Sequence, residues 1–539
     1  MRPCYLPLAA LVPVLIASGW LFAGAGVTSC DEWTFVHDGL RLLRGEVIYR
    51  DYFQFTPPAT AWLAALGQAM CGPGVLGPRL LQEAGLLATA GLLFALARRL
   101  GCGPWLATLP ALAPSLVMHR WVPAFNHHWL VLPWLAGALW LALRAVEAPR
   151  PGPAWLGAGA CAGLAGLFLQ SDGLVLATAL GLWLALEAWL GDTPRARLRQ
   201  AWLSLGAGLT AVLGASAAWL AGHGALGAAV HDVWVWPFQQ YRTAGGFNDV
   251  PFGADLGVHL TPFAPGLAVP FQAWFYGKLY HLGALYALHL AVPLAGALWG
   301  LGLLARRARR GAGWQAPERT HALVVLVALG LTAVAHRGRT DAIHVASVAW
   351  PGLLLAASAA AWAWRRPVPA ALALWRPLPA LALAALLGTG GLLWLADVRR
   401  TPERWGQGLA PDRLLADAPS LRALQARVRP GDRLAAWPYA GYWGVYVAPV
   451  VGRWNLMLAP HHGYHTRAEY DAFWADMQRD RPRFIVWAPQ FPPSEAQRAA
   501  EWPTPLPGYR RVGEVRHATF NADGRTWLAA EVYEREGPP

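Results

Sequence analysis

The stretch C-D-E-W-T-F-V-H-D-G-L-R-L-L-R-G-E-V-I-Y-R-D-Y-F-Q-F-T-P-P, Cys30 to Pro58, decides how the chain is read. It follows directly on an apolar run, Leu6 to Val27, which has the roughly 20 residues that one membrane crossing needs. It opens on adjacent carboxylates, Asp31 and Glu32, holds two amphipathic pieces and stops at Pro57-Pro58. Carboxylates are scarce here. Of 539 residues 55% are hydrophobic and only 14% charged, where a soluble protein carries about a quarter charged. The 31 Trp residues suit a membrane–water interface, and the abundant Gly and Pro are better tolerated in membrane helices than in soluble ones. The class is a polytopic membrane protein.

The net charge of +13 does not point to nucleic acid. Its arginines stand in short clusters between apolar runs, at Arg98-Arg99, Arg195 to Arg199, Arg306 to Arg310 and Arg365-Arg366, the pattern of cytoplasmic loops. The excess of Arg over Lys, with Ala, Gly, Leu and Pro dominant, resembles a bacterial protein from a GC-rich genome. Five scattered cysteines without a CxxC argue against a disulfide framework or a zinc knuckle.

Ten further apolar stretches follow, near 79–97, 103–118, 128–144, 154–170, 173–190, 201–221, 283–304, 320–336, 342–364 and 370–396. The expected fold is an all-α membrane bundle of about 11 helices. Only Arg2 precedes the first span, so the amino terminus is expected inside; every arginine cluster then also falls inside. Val27-Thr28-Ser29-Cys30 looks like a lipoprotein cleavage box, but an uncleaved anchor is expected because so many spans follow. Residues 28–76, with interfacial helices over Asp38 to Leu43 and Pro57 to Ala69, and residues 222–282, an aromatic, Gly- and Pro-rich flap, are expected outside. Beyond 397 the composition turns soluble. A helix over Pro411 to Val428, strands at Arg433 to Trp437, Arg483 to Ala488, Tyr509 to Val515 and Thr526 to Tyr533, and capping boxes at Thr466 to Glu469 and Ser494 to Gln497 predict a small extracytoplasmic α/β domain over 397–539 behind a transmembrane domain of 1–396.

Asp31-Glu32 has a plain reading, a solvated loop end. Against it stands the cost of charge at a membrane surface unless the charge is used; a carboxylate there can act as general base toward a hydroxyl. The acidic pair, then G-E-V-I-Y-R-D-Y-F-Q-F-T-P-P-A-T-A-W-L, then G-P-G-V-L-G-P-R-L-L-Q, resembles the GT-C membrane glycosyltransferases, closest to the protein O-mannosyltransferase and aminoarabinose transferase-like families. The likeness is clearest over about the first 140 residues. It implies an enzyme that moves a sugar, with inversion, from a polyprenyl-phosphate carrier to a lipid, glycan or protein acceptor on the outer face of a bacterial inner membrane. The family's acidic loop residue maps onto Asp31, with Glu32 beside it. Short cytoplasmic loops and the lack of a Walker or G-x-G-x-x-G motif agree with a lipid-delivered donor.

Other candidates follow along the chain. Tyr52 and Gln54 of the first loop are candidates for the substrate cavity. Relatives usually carry a further acid where this chain has Asn126-His127-His128, so these three become cavity candidates, against a reading as interfacial polar groups. Arg120, shortly before them, is a candidate for binding the donor phosphate. Asp172, in Gln170-Ser171-Asp172-Gly173, is either an ordinary turn residue or part of the donor cavity. Arg339, Asp341 and His344 form an R-x-D-x-x-H arrangement at the start of a span; Arg holds phosphate by paired hydrogen bonds, whereas snorkelling arginines meeting headgroups are the alternative. No cofactor is assigned and a divalent metal is left open. The competing classes are a lipid or polysaccharide transporter or flippase, for which paired broken helices and mid-span charges are wanting, and a non-catalytic membrane scaffold.

Overall fold

The computed structural model describes residues 6–23, 30–119, 124–190, 193–241, 287–310, 315–337, 342–365, a few between 380 and 388, 418–437, 440–453, 467–487, 507–519 and 526–537. Helices α1 (Leu6–Ala23), α2 (Cys30–Leu43), α3 (Ala59–Cys71) and α4 (Leu76–Arg99) come first. Then come α5 (Pro104–Ala113), which runs on as a π-helical turn Pro114–Met118, and α6 (His127–Leu130) with α7 (Leu132–Glu147). α8 (Gly152–Phe168), α9 (Gln170–Leu190), α10 (Arg195–Gly222) and a short α11 (Leu226–Val230) complete the first part of the bundle. After residue 286 come α12 (Val292–Arg310), α13 (Ala316–Arg337), α14 (Ala342–Val348) and α15 (Trp350–Arg365).

Among the described residues five helices are long and apolar enough to cross a membrane: Leu76–Arg99, His127–Glu147, Gln170–Leu190, Arg195–Gly222 and Ala316–His336. Among the described residues, each stretch expected to span between 79 and 364 falls largely on helix. The stretch 342–364 is interrupted at Ala349, because Pro351 has no N–H to give to the preceding turn. The last expected span, 370–396, lies almost wholly outside the described residues, as do most of the flap 222–282 and the capping box at Ser494.

Glycines set the closest helix contacts. A Cβ on Gly159 of α8 would stand 2.0 Å from the Leu205 carbonyl oxygen of α10, and one on Gly208 of α10 would stand 2.0 Å from the Leu156 oxygen of α8. Backbone therefore meets backbone at both positions, as small residues permit in membrane bundles. Gly166 and Gly173 bring α8 and α9 together in the same way, with Gly173's would-be Cβ 2.3 Å from the Gly166 Cα.

The segment between α1 and α4 differs from expectation at its start. The helix expected from Asp38 begins eight residues earlier, at Cys30, so Asp31 and Glu32 lie in its first turn and not at a loop end. Two acids in a first turn complement the unpaired N–H groups and positive dipole end there, which favours the earlier start. The Pro57-Pro58 stop is followed by α3 from Ala59. Gly39 of α2 lies against the Ala64 and Ala65 backbone of α3, and Gln68 of α3 donates to the Val36 carbonyl at 2.8 Å.

The carboxy-terminal region holds α16 (Ala418–Gln425), β1 (Leu434–Trp437), α17 (Ala440–Tyr446), α18 (Arg467–Asp480), β2 (Phe484–Trp487), β3 (Tyr509–Thr519) and β4 (Thr526–Arg535). The four strands form one sheet in the order β1-β2-β4-β3, parallel at β1–β2 and antiparallel elsewhere. β2 is buried along its whole length, as a run F-I-V-W requires. α17 leans on the back of α2. Gly441 sits against the Trp33 carbonyl, Gly444 against the His37 ring, and the Trp33 indole meets Tyr442 and Tyr446 edge to face at 5.3 and 4.9 Å.

Candidate active site

The first turn of α2 places two neighbouring carboxylates in different surroundings. Glu32 is fully buried. It accepts a forked pair from Arg79 of α4, Nε at 2.6 Å and Nη2 at 2.7 Å, and a third hydrogen bond from the Phe125 N–H at 2.9 Å. Arg79 is as deeply buried; its other guanidinium nitrogen donates to the Phe22 carbonyl at 3.0 Å, closing off the end of α1. A buried charge pair is tolerated only when its remaining donors and acceptors are satisfied, and here both partners reach backbone as well as each other. Asp31, one residue earlier, is only partly buried. Its Oδ2 accepts from the Asn126 side-chain amide at 3.2 Å.

Asn126 arrives there because residues 124–126 are strapped to the bundle. Gln82 of α4 accepts from the Asn126 N–H at 2.9 Å and donates to the Ala124 carbonyl at 3.0 Å, while Glu32 holds the Phe125 N–H between them. Gln82 also faces His119 Nε2 at 3.0 Å. Asn126 is then the N-cap of α6, its Oδ1 accepting from the His128 N–H at 3.0 Å. His127 and His128 therefore begin a helix and do not sit in a loop.

Beyond Asn126 the imidazoles gather. His127 and His128 have ring centroids 4.3 Å apart, and His128 meets His344 of α14 edge to face at 4.7 Å. His127 packs against Phe35 of α2 at 5.3 Å. His344 is within electrostatic reach of His127 and of Asp172. Asp172 is buried in the first turn of α9, where it accepts from Ser171 at 3.2 Å. The turn expected there is a helix start, made by the extended Leu169 that ends α8. Among the described residues no three His, Cys, Asp or Glu side chains come together as metal ligands would.

Tyr52 and Gln54 belong to a second cluster, two helical turns further along α2. Gln54 Nε2 donates to Asp38 Oδ2 at 2.6 Å, and the Tyr52 hydroxyl donates to the Asp38 carbonyl at 3.3 Å. Burial pushes the Asp38 carboxyl up to about 7, against the pull of Gln54 and Arg41. Arg41 pairs with Glu46, lies 4.5 Å over the Tyr52 ring and donates to the Gly452 carbonyl at 3.4 Å. The Phe53 N–H donates to the Arg453 carbonyl at 2.9 Å, and the Arg453 side chain pairs with buried Asp232, in the π-helical turn after α11, at 2.9 Å. Residues 47–56 thus tie α2 to both later segments.

The structure brings together Asp31, Glu32, Asn126, His127, His128, His344 and Asp172; it sets Tyr52 and Gln54 with Asp38. Arg120, Arg339 and Asp341 lie outside the described residues. Reading the sequence missed Arg79, Gln82 and Asp38. An Arg, a Gln and a Glu at Arg79, Gln82 and Glu83, inside an apolar span, was the available signal.

Residues 56–220 match the model of the dolichyl-phosphate-mannose-protein mannosyltransferase family. The match covers less than half of the chain and begins downstream of the acidic pair. No curated protein matches the sequence. ArnT from Cupriavidus metallidurans, solved with undecaprenyl phosphate bound, superposes with a TM-score of 0.55 at 13% identity, over 98% of this chain and 97% of that one. The oligosaccharyltransferase of Archaeoglobus fulgidus, solved with Zn and sulfate, gives 0.50 at 15% identity, over 96% of this chain and 73% of that one. The chain has the fold of the GT-C membrane glycosyltransferases.

Proposed function

We propose that this protein is an integral membrane glycosyltransferase that moves a sugar from a polyprenyl-phosphate carrier to an acceptor hydroxyl on the outer face of a bacterial inner membrane. The fold and the family match support the transferase class. The undecaprenyl phosphate in the ArnT structure supports a lipid-linked donor. In this reading the bundle has about eleven spans, residues 28–76 and 222–282 face outward, and the sheet-bearing region over 397–539 is extracytoplasmic.

The observation that carries the site is the division of labour between neighbouring carboxylates. Glu32 is consumed by Arg79 and the Phe125 N–H, whereas Asp31 keeps a face toward solvent. Neighbouring acids in unlike surroundings take unlike roles. Asp31 is the base. It takes the proton of the acceptor hydroxyl as that oxygen attacks the anomeric carbon; the bond from that carbon to the phosphate oxygen breaks, the configuration inverts, and polyprenyl phosphate leaves with the bonding pair. Glu32 positions: with Arg79 it anchors the turn that carries Asp31. Arg339, Arg120 and His344, with Asp341 orienting Arg339, receive the phosphate as charge builds on it. Tyr52 and Gln54 shape the floor of the cavity, and His127, His128 and Asp172 its wall. A divalent metal on the donor phosphate is compatible with this arrangement.

Asp31→Asn tests the reading. Membranes carrying the variant should hold wild-type amounts of inserted protein and show at least about a hundredfold less sugar transfer, the scale of a lost general base. Transfer at the wild-type rate would remove Asp31 from the chemistry.

A further inference from the structure

We infer that Asn126 is a positioning residue for Asp31: its amide, locked in one orientation by its own helix cap, holds the Asp31 carboxylate in place as an anion. This rests on the proposed role of Asp31 as base.

An asparagine amide ordinarily has two orientations, related by a flip that exchanges oxygen and nitrogen. Here the flip is forbidden from both sides. The Asn126 Oδ1 caps α6 by accepting the His128 N–H at 3.0 Å, a position that only an acceptor can fill. The Nδ2 donors are thereby turned toward Asp31 Oδ2, 3.2 Å away. The backbone under Asn126 is fixed as well. Its N–H is held by Gln82 and the preceding N–H by Glu32, both fully buried side chains from different helices. Through these two, α2 and α4 hold one amide at a set distance from one carboxylate oxygen. A hydrogen bond donated to a carboxylate favours its charged form, and an oxygen held by a fixed donor leaves the group with one defined rotamer.

Among the described residues, the charged and titratable side chains about this corner include Glu32 on the same helix, Arg79 and Glu83 on α4, His119 after α5, and His127 and His128 on α6. Arg79 is engaged by Glu32 and His119 by Gln82.

The variant that isolates the amide is Asn126→Asp. Aspartate caps a helix about as well as asparagine, so α6 keeps its start, but a second carboxylate now faces Asp31 where a donor stood. Two carboxylates that close cannot both ionise easily, and the pair holds a proton to higher pH. Asn126→Ser supplies a cap too short to reach Asp31 and adds no charge. Dicyclohexylcarbodiimide, an apolar reagent that modifies protonated carboxyls, reads the effect without any sugar substrate. Purified full-length protein in detergent is labelled across pH 4 to 9, and adducts at Asp31 are counted by peptide mass spectrometry.

The expected result is that labelling of Asp31 persists to a pH at least about one unit higher in Asn126→Asp than in the parent, with Asn126→Ser between. Unchanged labelling profiles in both variants would overturn the role of Asn126 whatever Asp31 does. Because labelling is blind to transfer, that outcome stays separate from the Asp31→Asn result, which decides the role of Asp31 itself.

Discussion

Glu32 and Arg79 form a pair that water does not reach. Taking both charges out of water costs several kcal/mol per ion, recovered through close geometry and added hydrogen bonds. Removing one partner strands the other, at about 3–5 kcal/mol. Glu32→Gln and Arg79→Met should each lower the thermal midpoint in detergent sharply, and the double variant should fall less than their sum. Strictly additive losses would show that the two do not act as a unit. Asp38 makes a different prediction. Its carboxyl is raised from 3.8 to about 7 by burial, so between those values the folded protein holds a proton that the unfolded chain has released. That contribution is fully present below 3.8, wanes as pH rises, and is gone above about 7. Asp38→Asn, which keeps a partner for Gln54 by turning its amide, should therefore gain stability relative to the parent across that window and level off above it. A difference in melting temperature that does not change with pH would refute this. Asp31 and Glu32 were legible because charge at a membrane mouth stands out in an apolar chain. Arg79, Gln82 and Asp38 were not: Arg79 and Gln82 act through residues on other helices, and Asp38 through Gln54 in the loop that follows its own helix.

At the scale of elements, helix placement followed from apolar length alone, because a helix is the local solution for backbone in lipid. Helix starts were harder. Cys30 and Gln170 begin helices where a loop or turn was expected, with acidic side chains in their first turns, and Asn126 caps α6 with its own side chain. The same polar residues read equally well as turn formers, so only the packing decides. Contacts between helices depend on glycines that carry no chemical signal of their own. Gly159→Leu should drive a side chain into the Leu205 carbonyl and separate α8 from α10. The expected outcome is a loss of well-folded protein on size-exclusion chromatography, against little change for Gly206→Leu on the exposed side of α10, where no described neighbour lies within 4 Å. Equal behaviour of the two variants would mean that the close approach is not limiting.

At the scale of the molecule, a thin polar seam joins the carboxy-terminal region to the bundle. Arg453 is its centre, with its carbonyl on Phe53, its guanidinium on Asp232 and its N–H on Asp476 at 3.0 Å. Burial raises the Asp232 carboxyl above its ordinary value, and Arg453 pulls against that. Loss of the cation should leave the buried acid leaning on His231, 3.0 Å away, and loosen the seam. Arg453→Ala, and Asp232→Asn likewise, should speed release of a carboxy-terminal fragment by limited chymotrypsin digestion at neutral pH. Digestion at the parental rate in both would assign the docking to other contacts. None of this seam could be read from spacing, since it joins three segments of the chain that lie far apart in sequence.

The seating of α17 behind α2 sets an order in time. Asp31 and Glu32 leave the ribosome long before Gly441 and Gly444, which back their helix. At ordinary rates of synthesis the gap is on the order of tens of seconds. A nascent chain that has already threaded its membrane helices is thus still without the support of its first polar turn, and the oldest part of the site is the last to be braced.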